Sequence, residues 1–436
     1  MRTRMLRLVL LLVVIGALVV ALVAWLNLRG EEPLAGADPD LTSPELIARG
    51  AYLARAGNCA GCHTERGGIA YAGGRGVPTP FGTVHAPNLT PDPAHGLGRW
   101  SAAEFWRAMH NGRARDGRLL YPAFPYPNYT RVTRADSDAI FAFLRSLPAA
   151  ERPNRAHTLQ FPFDQQAALA VWRALYFRPA QPENDAGRPA AWARGAYLVE
   201  GLGHCNACHA SRNALGATAG PLDLAGGLIP VQNWYAPSLA SKFEAGVADW
   251  SDEHIVELLR TGVSARGAVM GPMSEVVSGS TQHLHDADLR AMATYLKALS
   301  PPASEIAAAA AASGAASAAV ATVGNADSGG AKLYDRHCAA CHGDAGEGVP
   351  GVYPALAASR AVTIPTPANL VHIVLEGGFP PVTAGNPRPY GMPPFATVLS
   401  NDEVAQLLTY IRSSWGNDAG AVSSFEVTKY RTVSAR

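Results

Sequence analysis

The chain has 436 residues, enough for two to four ordinary domains, and its 36 Lys and Arg nearly balance its 35 Asp and Glu. A net charge near zero lacks the concentrated basic face that nucleic-acid binding needs, so no nucleic-acid partner is expected. With 43 glycines, 33 prolines and no strong period-two apolar alternation, the composition favours short helices joined by ordered loops over an extensive sheet.

The first predicted element is N-terminal. Arg2, Arg4 and Arg7 precede an uncharged run from Leu8 to Leu26. At about 1.5 Å per residue this run spans the roughly 30 Å hydrocarbon core of a bilayer. Trp25 stands at the far end, where an interfacial aromatic is favoured, and the arginines should stay cytoplasmic. A cleaved signal peptide is the rival reading, because "AGA" at 35–37 is a small-residue cleavage motif. The apolar run is longer than such peptides use, and Glu31, Glu32 and Pro33 separate it from that motif. Residues 1–30 are therefore read as an uncleaved anchor. Either reading exports the rest of the chain.

The next element is "ARGAYLARAGNCAGCH" at 48–63, ending in Cys59, Cys62 and His63. The pattern returns as "ARGAYLVEGLGHCNACH" at 193–209, with one residue inserted and ending in Cys205, Cys208 and His209. It returns again as "GGAKLYDRHCAACH" at 329–342, ending in Cys338, Cys341 and His342. No cysteine is left over. C-x-x-C-H reads as covalent attachment of a c-type haem. Two thiols on one helical turn form thioethers, and the following histidine becomes the proximal iron ligand. A zinc site would want four protein ligands, and a redox dithiol or a disulfide framework explains no histidine at a fixed offset. The expected cofactors are three covalently bound haem c groups.

Each copy is followed by a closing amphipathic helix: 137–147, 286–299 and 400–415. Phe143, Tyr295 and Tyr410 coincide, as do Leu144, Leu296 and Ile411, all read as helix packing. Ser400 with Glu403 reads as a capping box. Residues 178–190, rich in Pro, Gly and polar residues, separate the first two copies. Residues 301–330, mostly Ala, Ser and Gly, read as a flexible tether that lets the third copy move relative to the others.

A haem that only passes electrons gains from a second axial ligand, and a thioether raises its potential. Met273, in "GPM", and Met392, in "GMPPF", occupy the loop where that ligand is needed, although methionine is more often core filler. In the first copy the comparable stretch "RLLYPAFPYPNY" has Phe124, which cannot ligate iron. Three answers stay open for the first haem. It is five-coordinate, or His110 or Met109 swings in from "FWRAMHNGRARDG", or His85 does so from "TVHAPNLT". For each histidine the plain alternative is a satisfied surface side chain.

Over roughly residues 45–418 the chain resembles the triheme cytochrome c subunits of bacterial membrane-bound dehydrogenases. The stretches that carry this are "ARGAYLARAGNCAGCH", "TPFGTVHAPNLTPD", "GLGRWSAAEFWRAMHNGRARDGRLLYPAFPY", "VSARGAVMGPMSEVVSGSTQHL" and "MPPFATVLSNDEVAQLLTYIRSSWGN". The resemblance implies a mainly α chain of three tandem class I cytochrome c domains behind an N-terminal transmembrane helix. The domains are read over 44–178, 188–300 and 329–419, with an Ala/Ser/Gly-rich linker over 301–328. It also implies an electron-transfer subunit rather than the catalytic one, set in the bacterial inner membrane and facing the periplasm. The subunit would take electrons from a partner dehydrogenase and pass them to ubiquinone or a terminal oxidase. Relatives paired with quinoprotein and flavoprotein dehydrogenases typically have methionine where this chain has Phe124, and the pattern with Phe resembles those that accompany molybdenum hydroxylases. A rival class, a multihaem redox enzyme of peroxidase-like type working at an open first haem, rests on Phe124 alone. A third is a subunit feeding a terminal oxidase directly.

Overall fold

The computed structural model describes residues 2–31, 33–34, 39–180, 187–218, 223–299 and 328–434. The "AGA" motif at 35–37 and nearly all of the 301–328 linker lie outside the described residues. The fold is mainly helical, as the composition predicted. Its strands are short. β1 (Gly76–Thr79) and β2 (Gly82–His85) form an antiparallel hairpin, and β3 (Thr158–Leu159) pairs with the start of β2.

Two compact units make up the chain. One is built mainly from residues up to 180 and the other mainly from residues 187 onward. The same helix pair recurs three times. An opening helix (Pro44–Ala56, Ala190–Ala196 or Gly329–His337) leads into a C-x-x-C-H turn. A closing helix (Arg134–Ser146, Asp286–Ala298 or Asn401–Arg412) crosses it.

The crossing explains the repeated "RGAY". A Cβ added at Gly50, Gly195 or Gly330 would collide with the backbone carbonyl of Ala139, Ala291 or Gln406 on the closing helix. Only glycine lets the backbones approach this closely. The same imagined Cβ would lie 2.9, 2.6 and 2.8 Å from the Cβ atoms of Phe143, Tyr295 and Tyr410. The three coincident aromatics therefore cap the three glycines. The arginine before the glycine clamps the start of the closing helix. Arg49 Nε donates to Asp136 (2.8 Å), and Arg194 donates from Nε and Nη2 to Asp288 (2.8 and 2.7 Å). The inserted residue of the second copy is absorbed by a π-helical turn over Tyr197–Leu202, the usual way a helix accepts one extra residue. Ser400 and Glu403 form the expected capping box.

Three features depart from expectation. Met273 lies in the first turn of a helix, Pro272–Gly279, rather than in a loop. A helix at Ser424–Ser434 extends beyond residue 419 and puts Val427 and Tyr430 into the core of the third repeat. The third repeat is also packed against the second instead of standing free. Tyr235 N–H donates to Asn369 Oδ1 and Asn369 Nδ2 donates to Tyr235 O, both at 2.8 Å. Arg360 pairs with Asp249 at 2.6 Å. The Trp234 and His372 rings stack with centroids 5.0 Å apart and planes 17° apart. A tether sets how far two bodies can separate, but complementary surfaces decide whether they do.

The crossing yields a stability test. Gly50→Ala should cost about 1–3 kcal/mol, as overpacking does, and lower the thermal midpoint of the holoprotein. Gly67→Ala, where a Cβ meets nothing within 4 Å, should cost less despite the strain of its positive φ. Equal midpoints for the two variants would show that the crossing is not tight.

Candidate functional site

None of the six cysteines is joined in a disulfide. Burial, with the neighbouring thiol, pushes Cys59 and Cys205 up to about 12 and Cys338 up to about 11.

The histidines carry the decisive geometry. His63 Nδ1 lies 2.8 Å from Pro87 O, His209 Nδ1 2.7 Å from Pro237 O, and His342 Nδ1 2.9 Å from Pro354 O. A carbonyl only accepts, so each Nδ1 must carry the proton and donate. Each Nε2 is then the lone-pair nitrogen. A backbone oxygen thus selects the tautomer that can bind iron and fixes the ring plane. Burial pushes all three rings below the ordinary histidine range, with the carbonyl bond opposing. Neighbouring atoms crowd the His63 and His209 rings even though an edge of each reaches solvent. The result is a neutral imidazole at each site. A neutral ring with a lone pair on Nε2, directly after two cysteine thiols, fits covalently bound haem.

These proline carbonyls went unread in the sequence, although a signal was present. "HAPNL" and "YAPSL" hold Pro87 and Pro237 at the same offset from His85 and Tyr235. Side-chain motifs reveal side-chain chemistry, whereas here the acceptor is backbone.

The distal candidates fall as follows. Met392 exchanges two backbone hydrogen bonds with Gly378 (2.8 and 3.0 Å), and it packs on the core cluster that includes Cys338. Met273 follows Gly271, whose positive φ lets Trp234 lie against it. A Cβ there would be 2.9 Å from the indole. Trp234 is three residues from Pro237, so this contact ties the Met273 turn to the segment that holds His209.

In the first repeat, Phe124 lies 5.3 Å from the Tyr129 ring. Tyr129 is an electrostatic neighbour of Cys59 and Cys62, and burial raises its pKa well above the ordinary value. The "YPAFPY" stretch therefore belongs to the surroundings of the first motif. Met109 is buried in the helix Ala102–Asn111, and the His110 ring stacks on Trp106 at 4.4 Å. His85 closes β2. Its backbone N–H donates to His157 Nδ1 at 3.1 Å, and its own Nδ1 is buried without a hydrogen-bond partner.

The end of the N-terminal helix is held by a polar network. Asn27 Nδ2 donates to Ala170 O (2.9 Å), and Arg173 Nε donates to Asn27 Oδ1 (2.9 Å). Arg173 also reaches Asn111 O (2.6 Å) and lies over the Tyr126 ring. Arg113 binds Glu31 at 2.9 Å. Asn27 and Arg173 are both buried.

Comparison with known proteins places this geometry. The Cytochrome c family matches residues 47–148 and 328–415, and the second motif lies between these stretches. The chain is 38% identical over 411 residues to the alcohol dehydrogenase (quinone) cytochrome c subunit of Gluconacetobacter polyoxogenes, covering 91% of this chain and 86% of that one. It is 36% identical to the gluconate 2-dehydrogenase cytochrome c subunit of Pantoea cypripedii, covering 90% and 91%. It is 40% identical over 383 residues to a nicotinate dehydrogenase subunit of Pseudomonas putida, covering 87% of this chain and 31% of that one.

Two spectroscopic outcomes are expected. With Met273 and Met392 as the expected distal ligands, Met273→Ala and Met392→Ala should each lower one midpoint potential, since a thioether would favour ferrous iron. Unchanged redox titrations in both variants would refute the assignment. Phe124→Met should raise the lowest potential and abolish any carbon monoxide binding. Three methionine-ligated low-spin haems in the unaltered protein would instead mean that another residue, such as Met109, fills the first position.

Proposed function

The chain belongs to the family of cytochrome c subunits of dehydrogenases, and we propose that it is a triheme member held in the bacterial inner membrane with its haems in the periplasm. The observation that carries the count of three is the threefold histidine–proline carbonyl bond. It recurs with the glycine crossing in the second repeat as in the other two. Cys59 with Cys62, Cys205 with Cys208, and Cys338 with Cys341 would hold the porphyrin edges. His63, His209 and His342 would be the proximal ligands, with Met273 and Met392 completing the second and third sites. Bound haem supplies one-electron iron chemistry. The protein's part is to hold each neutral Nε2 in one orientation, which limits rearrangement on electron arrival. The first site, with Phe124, would have the lowest potential and suits entry or branching of electrons.

Electrons would come from a catalytic dehydrogenase subunit and leave to ubiquinone or a terminal acceptor. A molybdenum hydroxylase is the favoured donor, supported by Phe124 and by the similarity to the nicotinate dehydrogenase relative. Quinoprotein and flavoprotein donors are the alternatives, given the alcohol and gluconate dehydrogenase relatives. The Arg2–Leu28 helix is long and apolar enough to cross a membrane. Its last turn is bonded to the first repeat through the buried Asn27, which supports a retained anchor over a discarded leader.

The denatured protein should exceed its polypeptide mass by three haems and offer no alkylatable thiol. A lower mass or a reactive thiol would defeat the count. Amino-terminal sequencing of membrane-extracted protein should find the Arg2–Leu28 segment present, whereas a start at Asp38 would show that the anchor is removed.

A further inference from the structure

The residues from Asn27 to Glu31, where the N-terminal helix ends, are bonded into the first repeat more heavily than a tether needs. Beyond the Asn27 bonds already described, Arg113 Nη2 donates to Asn27 O (3.2 Å), Asn111 Nδ2 donates to Gly30 O (3.1 Å) and Arg29 Nη2 donates to Phe177 O (2.7 Å). Gly30 has a positive φ of 67°, and a Cβ there would lie 3.0 Å from the Pro179 ring.

Glu31 adds charge to this clasp. Its carboxylate lies 2.9 Å from Arg113 and 3.7 Å from Arg107, and all three side chains are 15% exposed or less. Burial pushes the Arg173 guanidinium below its ordinary range, and Tyr126 and Glu31 oppose that. The segment after the span thus brings a carboxylate to guanidiniums that the first repeat has taken out of water. Cations in that position are costly when the partner is removed.

The same guanidiniums touch the surroundings of the first C-x-x-C-H motif. Arg107 belongs to the helix Ala102–Asn111, which carries Met109 and His110. That helix ends at Gly112, where a Cβ would be 2.5 Å from the Tyr126 ring. Tyr126 is fully buried and packs edge-on against Phe177 at 4.9 Å, with Arg173 over the two rings at 5.0 and 4.7 Å. Tyr126 opens the turn that ends in Tyr129. Tyr129 in turn meets the Phe124 ring and the two thiols Cys59 and Cys62. A series of printed-close contacts therefore runs from Glu31 to the first motif, and a close-packed interior passes displacement along such a series.

We propose that Asn27 and Glu31 are positioning residues for the first haem site, so that the end of the N-terminal helix sets the potential of the first haem as well as tethering the protein. This rests on the readings of the first motif as a haem site and of Arg2–Leu28 as a retained anchor. The sign follows from charge. Reduction adds an electron, so a nearby carboxylate disfavours it, and removing that carboxylate should raise the potential.

The test uses the full haem-loaded chain in lipid nanodiscs, with redox titration and electron paramagnetic resonance. Phe124→Met marks which signal belongs to the first haem. Glu31→Gln keeps the shape of the side chain and should raise that haem's potential, increasing its reduced-to-oxidised ratio several-fold at a fixed potential near the midpoint. The other two potentials should stay in place. Asn27→Leu, which leaves Arg173 without its amide partner, should change the resonance of the same haem alone. Where Asn27→Leu yields no haem-loaded protein, Glu31→Gln decides. A variant that moves neither reading removes its residue from the assignment. If both variants only lower the thermal midpoint, or shift all three haems alike, the segment is a structural clip and the proposal is overturned. The intact mass of the unaltered protein separates the underlying readings. A chain that starts at Asp38 would refute the retained anchor, and fewer than three haems would refute the count; either would overturn this proposal before any variant is made.

Discussion

At three points in this chain a backbone carbonyl occupies the space where a side chain would begin. Gly50, Gly195 and Gly330 let the closing helix settle onto the opening helix, and much of the architecture depends on that approach. The opening helix leads directly into the C-x-x-C-H turn, so the crossing sets where the proximal histidine starts. An aromatic over the glycine and, in two repeats, an arginine–aspartate clamp keep the pair from sliding. Packing tolerates little change of volume at such a contact. The position of each histidine is thus decided twelve to fourteen residues before the histidine itself.

The second constraint acts through the backbone. Orientation of the imidazole is given to a proline carbonyl in every repeat, a backbone acceptor that needs no particular side chain. Side chains near the sites can therefore vary, as Phe124 does, without loss of the proximal geometry. The end of the N-terminal helix is held through both kinds of acceptor. Arg173 donates to the Asn27 side chain and to the Asn111 backbone carbonyl, and its guanidinium rests on Tyr126, two residues from Phe124. The stretch that holds Phe124 therefore abuts the end of the N-terminal helix.

Much of this was legible in the sequence because it is written in residue types at fixed spacing. The three haem motifs, the closing helices and the Ser400–Glu403 box are of that kind. So was the N-terminal apolar helix, long enough to cross a membrane. The coincidence of Phe143, Tyr295 and Tyr410 was visible, though its meaning was not, because a helical aromatic reads the same over a glycine as over any core. The proline carbonyls were hidden because every residue has a carbonyl. The helix Gln166–Tyr176 was not read from the sequence, and its buried face carries Arg173, a residue type that ordinarily marks the solvent side. The docking of the third repeat was misjudged because an Ala/Ser/Gly tether reports nothing about the surfaces it joins.

That docking changes the kind of event an electron faces in passing between the second and third repeats. Had the tether alone joined them, transfer would wait on collision, and its rate would follow solvent viscosity and the length of the leash. With Trp234 laid on His372 and Tyr235 bonded to Asn369 in both directions, the separation is a constant of the fold. A transfer between haems held by these two motifs would be unimolecular, as pre-oriented reactions are, with its speed set by the atoms between the two sites.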